Sequence, residues 1–295
     1  MSVTQRTVPT RELSYATSAR SRGGKALIRL IENSTGRRSL LKRVRGYEEE
    51  LASGANFFDV MVARYGLELD VVRGALDDIP RDGPLVVIAN HPYGILDGLV
   101  LGHVLSRRRG TFKILANSVF SQGPGLQHHI LPISFDEDRA AVALNLATRR
   151  ESLSYLQAGG AIGIFPGGTV STGAKPFSRP MDPSWRSFTA RMIAKSNATV
   201  LPIYFDGHTS RMFQIASHMH ATLRLGLLIK EFRSRVDTPV RLAIGKPFSR
   251  AQLEPLLPDA KGMMDFLRKA TYELAPEPLD SFDAGYDFED RRARR

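Results

Sequence analysis

The sequence predicts an α/β fold: a largely parallel, mixed sheet flanked by helices, preceded by an N-terminal helical extension. Three observations carry this. Short apolar runs recur at 67–73, 85–90, 111–116, 130–135, 161–165, 199–205 and 240–244. Stretches with helical spacing separate several of them, notably 97–108, 139–157 and 185–195. Strands that alternate with helices make a parallel sheet covered on both faces. Finally, 295 residues at 42% hydrophobic and 24% charged can bury a large core, and exclude a disordered, collagen-like or coiled-coil chain.

Taken in order, residues 1–22 show no apolar period and read as disordered. Residues 25–44 hold two short amphipathic stretches divided by Gly36, with Leu27, Ile28, Leu30 and Ile31 in the first and Leu40, Leu41 and Val44 in the second. Their apolar faces, flanked by Lys and Arg, either lie in a lipid headgroup layer or pack on the body. Residues 47–65 read as a helix, with Phe57 and Met61 one turn apart. A last helix is expected over 260–275, from Met263, Phe266, Leu267 and Tyr272. The division is therefore a basic arm (1–46), one α/β domain (47–275) and a loose tail (276–295).

The net charge of +11 is concentrated in the arm. Residues 1–46 hold eleven Lys/Arg against Glu12 and Glu32, a net +9 that leaves +2 for the rest. A basic arm on a near-neutral body suits approach to an anionic surface. Nucleic acid is the rival partner, but the body lacks a basic-aromatic stripe, so none is expected. With no cysteine, disulfides, thiolate catalysis and Cys-ligated metals are excluded. No apolar run approaches the ~18 residues that span a bilayer. The N-terminus lacks the apolar core of a secretory signal, although its Arg- and Ser-rich, acid-poor character is shared with organellar transit peptides.

Two segments are built for chemistry. At 85–98, a buried strand ends at Asn90 and is followed by His91, a Pro92-x-Gly94 turn and Asp97 in the first turn of a helix. Ligands of open α/β sheets bind outside the carboxyl ends of strands. Asp97 could hold one imidazole nitrogen and leave the other as a base; the bland alternative is an N-cap beside a turn residue. At 161–173 the same architecture returns, an apolar strand broken at Phe165-Pro166 and followed by Gly167, Gly168, Thr169, Ser171 and Thr172. Glycines admit backbone N–H groups to an anion and the hydroxyls add donors. Lys175 follows Gly173-Ala174 without the Gly-Lys-Ser/Thr of a P-loop, so nucleotide hydrolysis is not supported.

The order of these segments, with 130–135 between them and Leu201-Pro202 after, resembles the four blocks of the glycerolipid acyltransferases, the family of the lysophosphatidate acyltransferases. Asn90, His91 and Asp97 match its first block, and Phe165, Pro166, Gly168 and Thr169 its third. Leu201 and Pro202 match the fourth; Asp138 and Arg139 meet the second loosely. The stretch 206–214 looks like a bacterial haemolysin-like or ornithine-lipid branch. Two departures stand out: five residues rather than four separate His91 from Asp97, and Gly167 replaces the third-block Glu that helps hold a phosphorylated acceptor.

The resemblance implies transfer of a fatty acyl group from acyl-CoA or acyl carrier protein to a lysolipid hydroxyl, with His91 as base and Asp97 orienting it. Phe165, Pro166, Gly168 and Thr169, with Arg139 and Lys113, are the implied substrate-binding residues. It implies no metal or redox cofactor, and a cytoplasmic enzyme held peripherally on the inner face of a membrane by residues 1–46. An alternative within the class is O-acylation of a lyso-aminolipid such as lyso-ornithine lipid, which would account for the missing Glu. A non-catalytic lipid-binding protein on the same fold is the other alternative. His218 and His220 could pair only if 216–220 were a strand, and Trp185 is either core or a membrane contact.

Overall fold

The computed structural model describes residues 13–16, 19, 21–134, 136 and 138–288. The elements are α1 (Arg22–Thr35), α2 (Arg37–Arg43), α3 (Tyr47–Ala52), α4 (Phe57–Arg64), β1 (Glu68–Arg73), β2 (Leu85–Ala89), α5 (Ile95–Arg109), β3 (Lys113–Asn117), β4 (Ile130–Ile133), α6 (Arg139–Gln157), β5 (Ala161–Ile164), β6 (Thr172–Gly173), β7 (Pro180–Met181), α7 (Ser187–Ala194), β8 (Thr199–Phe205), α8 (Arg211–Met219), α9 (Ala221–Arg233), β9 (Pro239–Ile244), α10 (Arg250–Leu253) and α11 (Ala260–Tyr272).

Seven strands form one sheet in the order β1-β9-β8-β2-β5-β3-β4. The five from β8 to β4 are parallel; β9 runs against β8 and carries β1 parallel to itself at the edge. The strand period of two sorts side chains to two cores. Leu85, Val87 and Ala89 of β2 pack with α4 and α5, together with Leu201, Ile203 and Phe205 of β8. Val86 and Ile88 point the other way, into a core shared with α7 and α11. All five β2 residues are fully buried, which is why that run is continuously apolar rather than alternating.

The expected helix over 47–65 is two helices. Gly54 adopts φ +95°, and Asn56 caps α4 by accepting from Phe58 N–H at 2.9 Å, so the polar stretch 53–56 breaks the run. The segment 211–233, outside the strand–helix alternation read from the sequence, folds as α8 and α9. The tail is tied down over part of its length: Arg268 donates to Phe282 O (2.6 Å), Gly285 N–H to Asp182 O (2.8 Å) and Tyr286 N–H to Thr172 O (3.0 Å). Disorder expected for 1–22 falls mostly outside the described residues, but 13–16 are held in place and α1 begins at Arg22.

The amphipathic helix α1 packs on the body through one face. Its inner face buries Ile28 and Glu32, while Leu27 and Leu30 remain 43% and 66% exposed among Lys25 and Arg29. Trp185 is core. A Cβ added at Gly102 of α5 would overlap the buried Phe58 ring. Gly102→Val is therefore expected to lower stability by about 1–3 kcal/mol through overpacking, read by denaturant unfolding.

Candidate active site

Because β8, β2 and β5 are adjacent and parallel, their carboxyl ends open at one edge of the sheet. Asn90 closes β2 against β8: its Nδ2 donates to Phe205 O (2.9 Å) and its Oδ1 accepts from Phe205 N–H (2.7 Å). The next residue, His91, is fixed by its main chain. Its N–H donates to Asp182 Oδ1 (3.2 Å) and its carbonyl accepts from Ser171 N–H (2.8 Å).

The turn after His91 brings Asp97 back onto it. Asp97 is fully buried at the start of α5, and its Oδ2 accepts from the N–H groups of Tyr93 (2.8 Å) and Gly94 (3.0 Å). Gly94 sits at φ 76°, ψ −121°, a conformation only glycine adopts without strain, and the five-residue spacing is accommodated there. His91 Nδ1 lies 3.0 Å from Asp97 Oδ2. The contact is close but bent, and Nδ1 and Asp97 Oδ1 are buried atoms without an aligned hydrogen-bond partner among the described residues. Burial pushes the Asp97 carboxyl above its ordinary range, while His91 and the two N–H donors pull it back. The His91 ring stacks on Phe165 (centroids 4.2 Å apart, 25° between planes). With Nδ1 turned to Asp97, the opposite edge of the imidazole, carrying Nε2, is left to the cavity that the ring lines.

The loop after β5 is packed rather than open. Ser171 and Thr172 are buried; Ser171 Oγ donates to Asp182 Oδ1 (2.5 Å) and Thr172 Oγ1 to Val170 O (3.0 Å). Of the three loop hydroxyls, that of Thr169 belongs to a residue lining the same cavity as His91. Arg224 of α9, 3% exposed, clamps this loop from behind. It donates to Thr169 Oγ1 (3.0 Å), Val170 O (2.8 Å), Thr172 Oγ1 (2.6 Å) and Ser217 Oγ (2.8 Å). Gly167 faces Asp182, and a Cβ there would lie 3.2 Å from Asp182 Oδ2. The buried Asp182 carboxylate, held also by Trp185 Nε1 at 2.8 Å, occupies the space that a longer residue at 167 would need.

His91 opens into a cavity of about 1080 Å³. That is slightly above the ~300–1,000 Å³ usual for small-molecule pockets. One stretch is apolar, lined by Phe57, Phe58, Met61, Leu99 and Leu126; the stretch nearer α8 and α9 offers Thr169, Ser217, His218 and Arg224. Met219, 68% exposed, marks its mouth beside Lys25 and His220.

Not every residue singled out from the sequence reaches this site. His91, Phe165, Gly168 and Thr169 line the cavity, and Asp97 backs His91. Pro166 is buried in the turn, where its carbonyl accepts from Arg186 N–H. Lys113 does not come in: its Nζ lies 2.5 Å from Glu151 Oε1 and over the Tyr155 ring. Arg139 is exposed at the start of α6, outside the cavity lining, and Asp138 serves as the helix cap, accepting from Ala141 N–H (2.7 Å). Phe135 and Glu137 lie outside the described residues. His218, on helix α8, donates to Gly173 O, whereas His220 caps α9; they make no pair. Among the described residues no group of His, Asp and Glu could hold a metal ion.

The chain's comparison with known families settles on the segment that builds this edge. Residues 71–206 match the Acyltransferase family. The matched segment runs from within β1 to the residue after β8 and contains His91, Asp97, the 165–172 loop and Asp182. The chain is 24% identical over 192 residues to a lyso-glycine lipid O-acyltransferase of Phocaeicola vulgatus, a match covering 61% of this chain and 65% of the relative. It is 24% identical over 161 residues to a protein of the same name from Bacteroides thetaiotaomicron, covering 54% and 56%. The match thus spans less than two thirds of either relative. The crystal structure of the 1-acyl-sn-glycerophosphate acyltransferase PlsC from Thermotoga maritima aligns with a TM-score of 0.42 at 18% identity, over 90% of this chain and 87% of that one. Arg224 and the residues before α1 lie outside the matched segment, and neither Arg224 nor Asp182 was singled out from the sequence. A single Arg in a helix and a single Asp in a loop leave no periodic signal to find.

Proposed function

We propose that the protein is a lysolipid O-acyltransferase that moves a fatty acyl group from a thioester, acyl-CoA or acyl carrier protein, to the hydroxyl of a single-chain lipid. The observation that carries this is the His91–Asp97 pair at the wall of a large cavity with an apolar stretch. His91 Nε2 takes the proton of the acceptor hydroxyl as its oxygen attacks the thioester carbonyl. The tetrahedral adduct collapses, an ester forms, and the departing thiolate takes the proton back from the imidazolium. Asp97 holds the imidazole tautomer and stabilises the cation.

The acceptor class follows from the third-block loop. Gly167 stands where the resembling family carries the Glu that helps hold a phosphorylated acceptor, and buried Asp182 leaves little room for a longer side chain there. A glycine or related amino-acid lipid carries no phosphate, and the two lyso-glycine lipid O-acyltransferases support that acceptor. The exposed apolar residues of α1 and α8 suit delivery from a bilayer. Leu27 and Leu30 of α1 and Met212, Ile215 and Met219 of α8 are exposed, with Lys25 and Arg29 beside them. Among the described residues no helix is long and apolar enough to cross a membrane. Adsorption to anionic vesicles is expected to weaken as salt rises, and neutralising Lys25 and Arg29 should lower it by about 1 kcal/mol per residue, read by vesicle sedimentation.

The test of the reaction is thioester consumption by the purified protein with long-chain acyl-CoA or acyl carrier protein. Lyso-glycine lipid, lyso-ornithine lipid and lysophosphatidate are offered in turn. Transfer to an amino-acid lipid in preference to lysophosphatidate is the expected result. Saturable lipid binding with no transfer to any of them would overturn it in favour of a lipid-binding protein.

A further inference from the structure

Residues 13–16 come before α1 yet lie along the wall of the cavity, and they are held there by a buried carboxylate. Glu32, fully buried on the inner face of α1, accepts from Ser14 Oγ and from Tyr15 N–H, both at 2.6 Å. Arg37 Nε donates to Leu13 O at 2.7 Å, and Ala16 is buried. An isolated buried carboxylate is costly, and this one is spent on two bonds to a four-residue strap. The strap is a built feature of the cavity wall.

It brings Leu13 and Tyr15 into the cavity lining, and Tyr15 carries the polar group. Tyr15 packs beside the cluster of Val170, Phe213 and Leu228 and lines the cavity. Its hydroxyl would lie 3.7 Å from a Cβ placed on Gly94, the residue whose N–H binds Asp97. Burial holds the phenol well above its usual range, with Glu32 and Asp97 adding to the effect, so it stays protonated. Among the described residues that hydroxyl makes no hydrogen bond, and Tyr15 is a half-buried residue of the cavity lining. A phenol on a cavity wall whose hydroxyl is not spent on the protein is free to donate to a ligand's polar group.

We propose that Tyr15 is a specificity-determining residue for the acyl acceptor, its hydroxyl hydrogen-bonding the polar head of the lipid whose own hydroxyl lies at His91. Glu32 is the positioning residue that sets the strap. This rests on the acyl-transfer reading above for the kinetics, but not for binding. The neighbourhood assigns the head rather than the acyl chain to this end, since Thr169, Arg224 and Ser217 line it and the rings of Phe57 and Phe58 line the other.

The test compares Tyr15→Phe and Glu32→Gln with the wild type, using lyso-glycine lipid as acceptor and acyl-CoA as donor. One neutral hydrogen bond corresponds to an effect of about five- to tenfold. Tyr15→Phe is expected to raise the acceptor KM by that factor, leaving donor KM and melting temperature unchanged. Glu32→Gln should move the acceptor KM in the same direction by releasing the strap. Equilibrium dialysis of the same lipid, run without donor, should show the same loss in Tyr15→Phe. An unchanged acceptor KM and affinity in Tyr15→Phe, or a rise confined to the donor KM, overturns the assignment. Wild-type protein that binds the lipid but transfers nothing sinks the acyltransferase reading alone; weakened binding by Tyr15→Phe would still support the contact. No binding and no transfer sinks both.

Discussion

His91→Ala is expected to lower the rate of acyl transfer by about 10²–10⁴-fold, the range credited to a positioned general base, with no comparable loss of stability. The ring is 18% exposed and stacks on Phe165 from the cavity wall, so its removal leaves the main-chain bonds that knit the turn. His91 N–H to Asp182 and Ser171 N–H to His91 O do not depend on the side chain. Steady-state thioester consumption alongside thermal unfolding separates the two effects. A mutant that keeps most of its transfer rate would remove His91 from the mechanism. Asp97→Asn should also slow transfer, because an amide cannot stabilise the imidazolium.

Asp182→Ala is the second large effect, and it should appear in stability and activity together. The carboxylate is fully buried and accepts from His91 N–H, Ser171 Oγ and Trp185 Nε1. Truncation strands three buried donors at about 1–3 kcal/mol each. Partial relaxation and water entry bring the expected loss to about 2–5 kcal/mol, measured by denaturant unfolding. Activity should fall as well, because Asp182 joins the His91 turn to the loop after β5. Asp182→Asn keeps the shape but offers an amide where donors converge, so it should lie between Ala and wild type. A stable and fully active Asp182→Ala would show that the loop contacts hold the turn without it.

These outcomes mark where sequence was enough and where it was not. The strands and the helices between them were legible, because the period of two and the 3.6-residue spacing are local properties of a chain that must bury one face or both. The continuous run Leu85–Ala89 announced a strand covered on both sides. His91 and Asp97 were legible for the same reason. A strand end, a Gly94 turn and a helix start lie within seven residues, and local geometry alone folds the carboxylate back toward the ring. Sequence by itself thus determined the α/β class and the proposed catalytic pair.

Only the tertiary structure decided the rest of the site. Asp182 reaches the His91 turn across 91 positions, Arg224 clamps Thr169 across 55, and Ser14 meets Glu32 across 18. Each is a single polar residue in a loop or helix, and without a periodic pattern its sequence resembles that of any solvated side chain. Lys113 shows the converse: a cation on the right strand, drawn off by Glu151 on the helix that packs beside it. Apolar residues declare themselves by repetition because burial is non-directional. A buried polar group instead depends on one partner at one angle, and the folded chain alone brings that partner within reach.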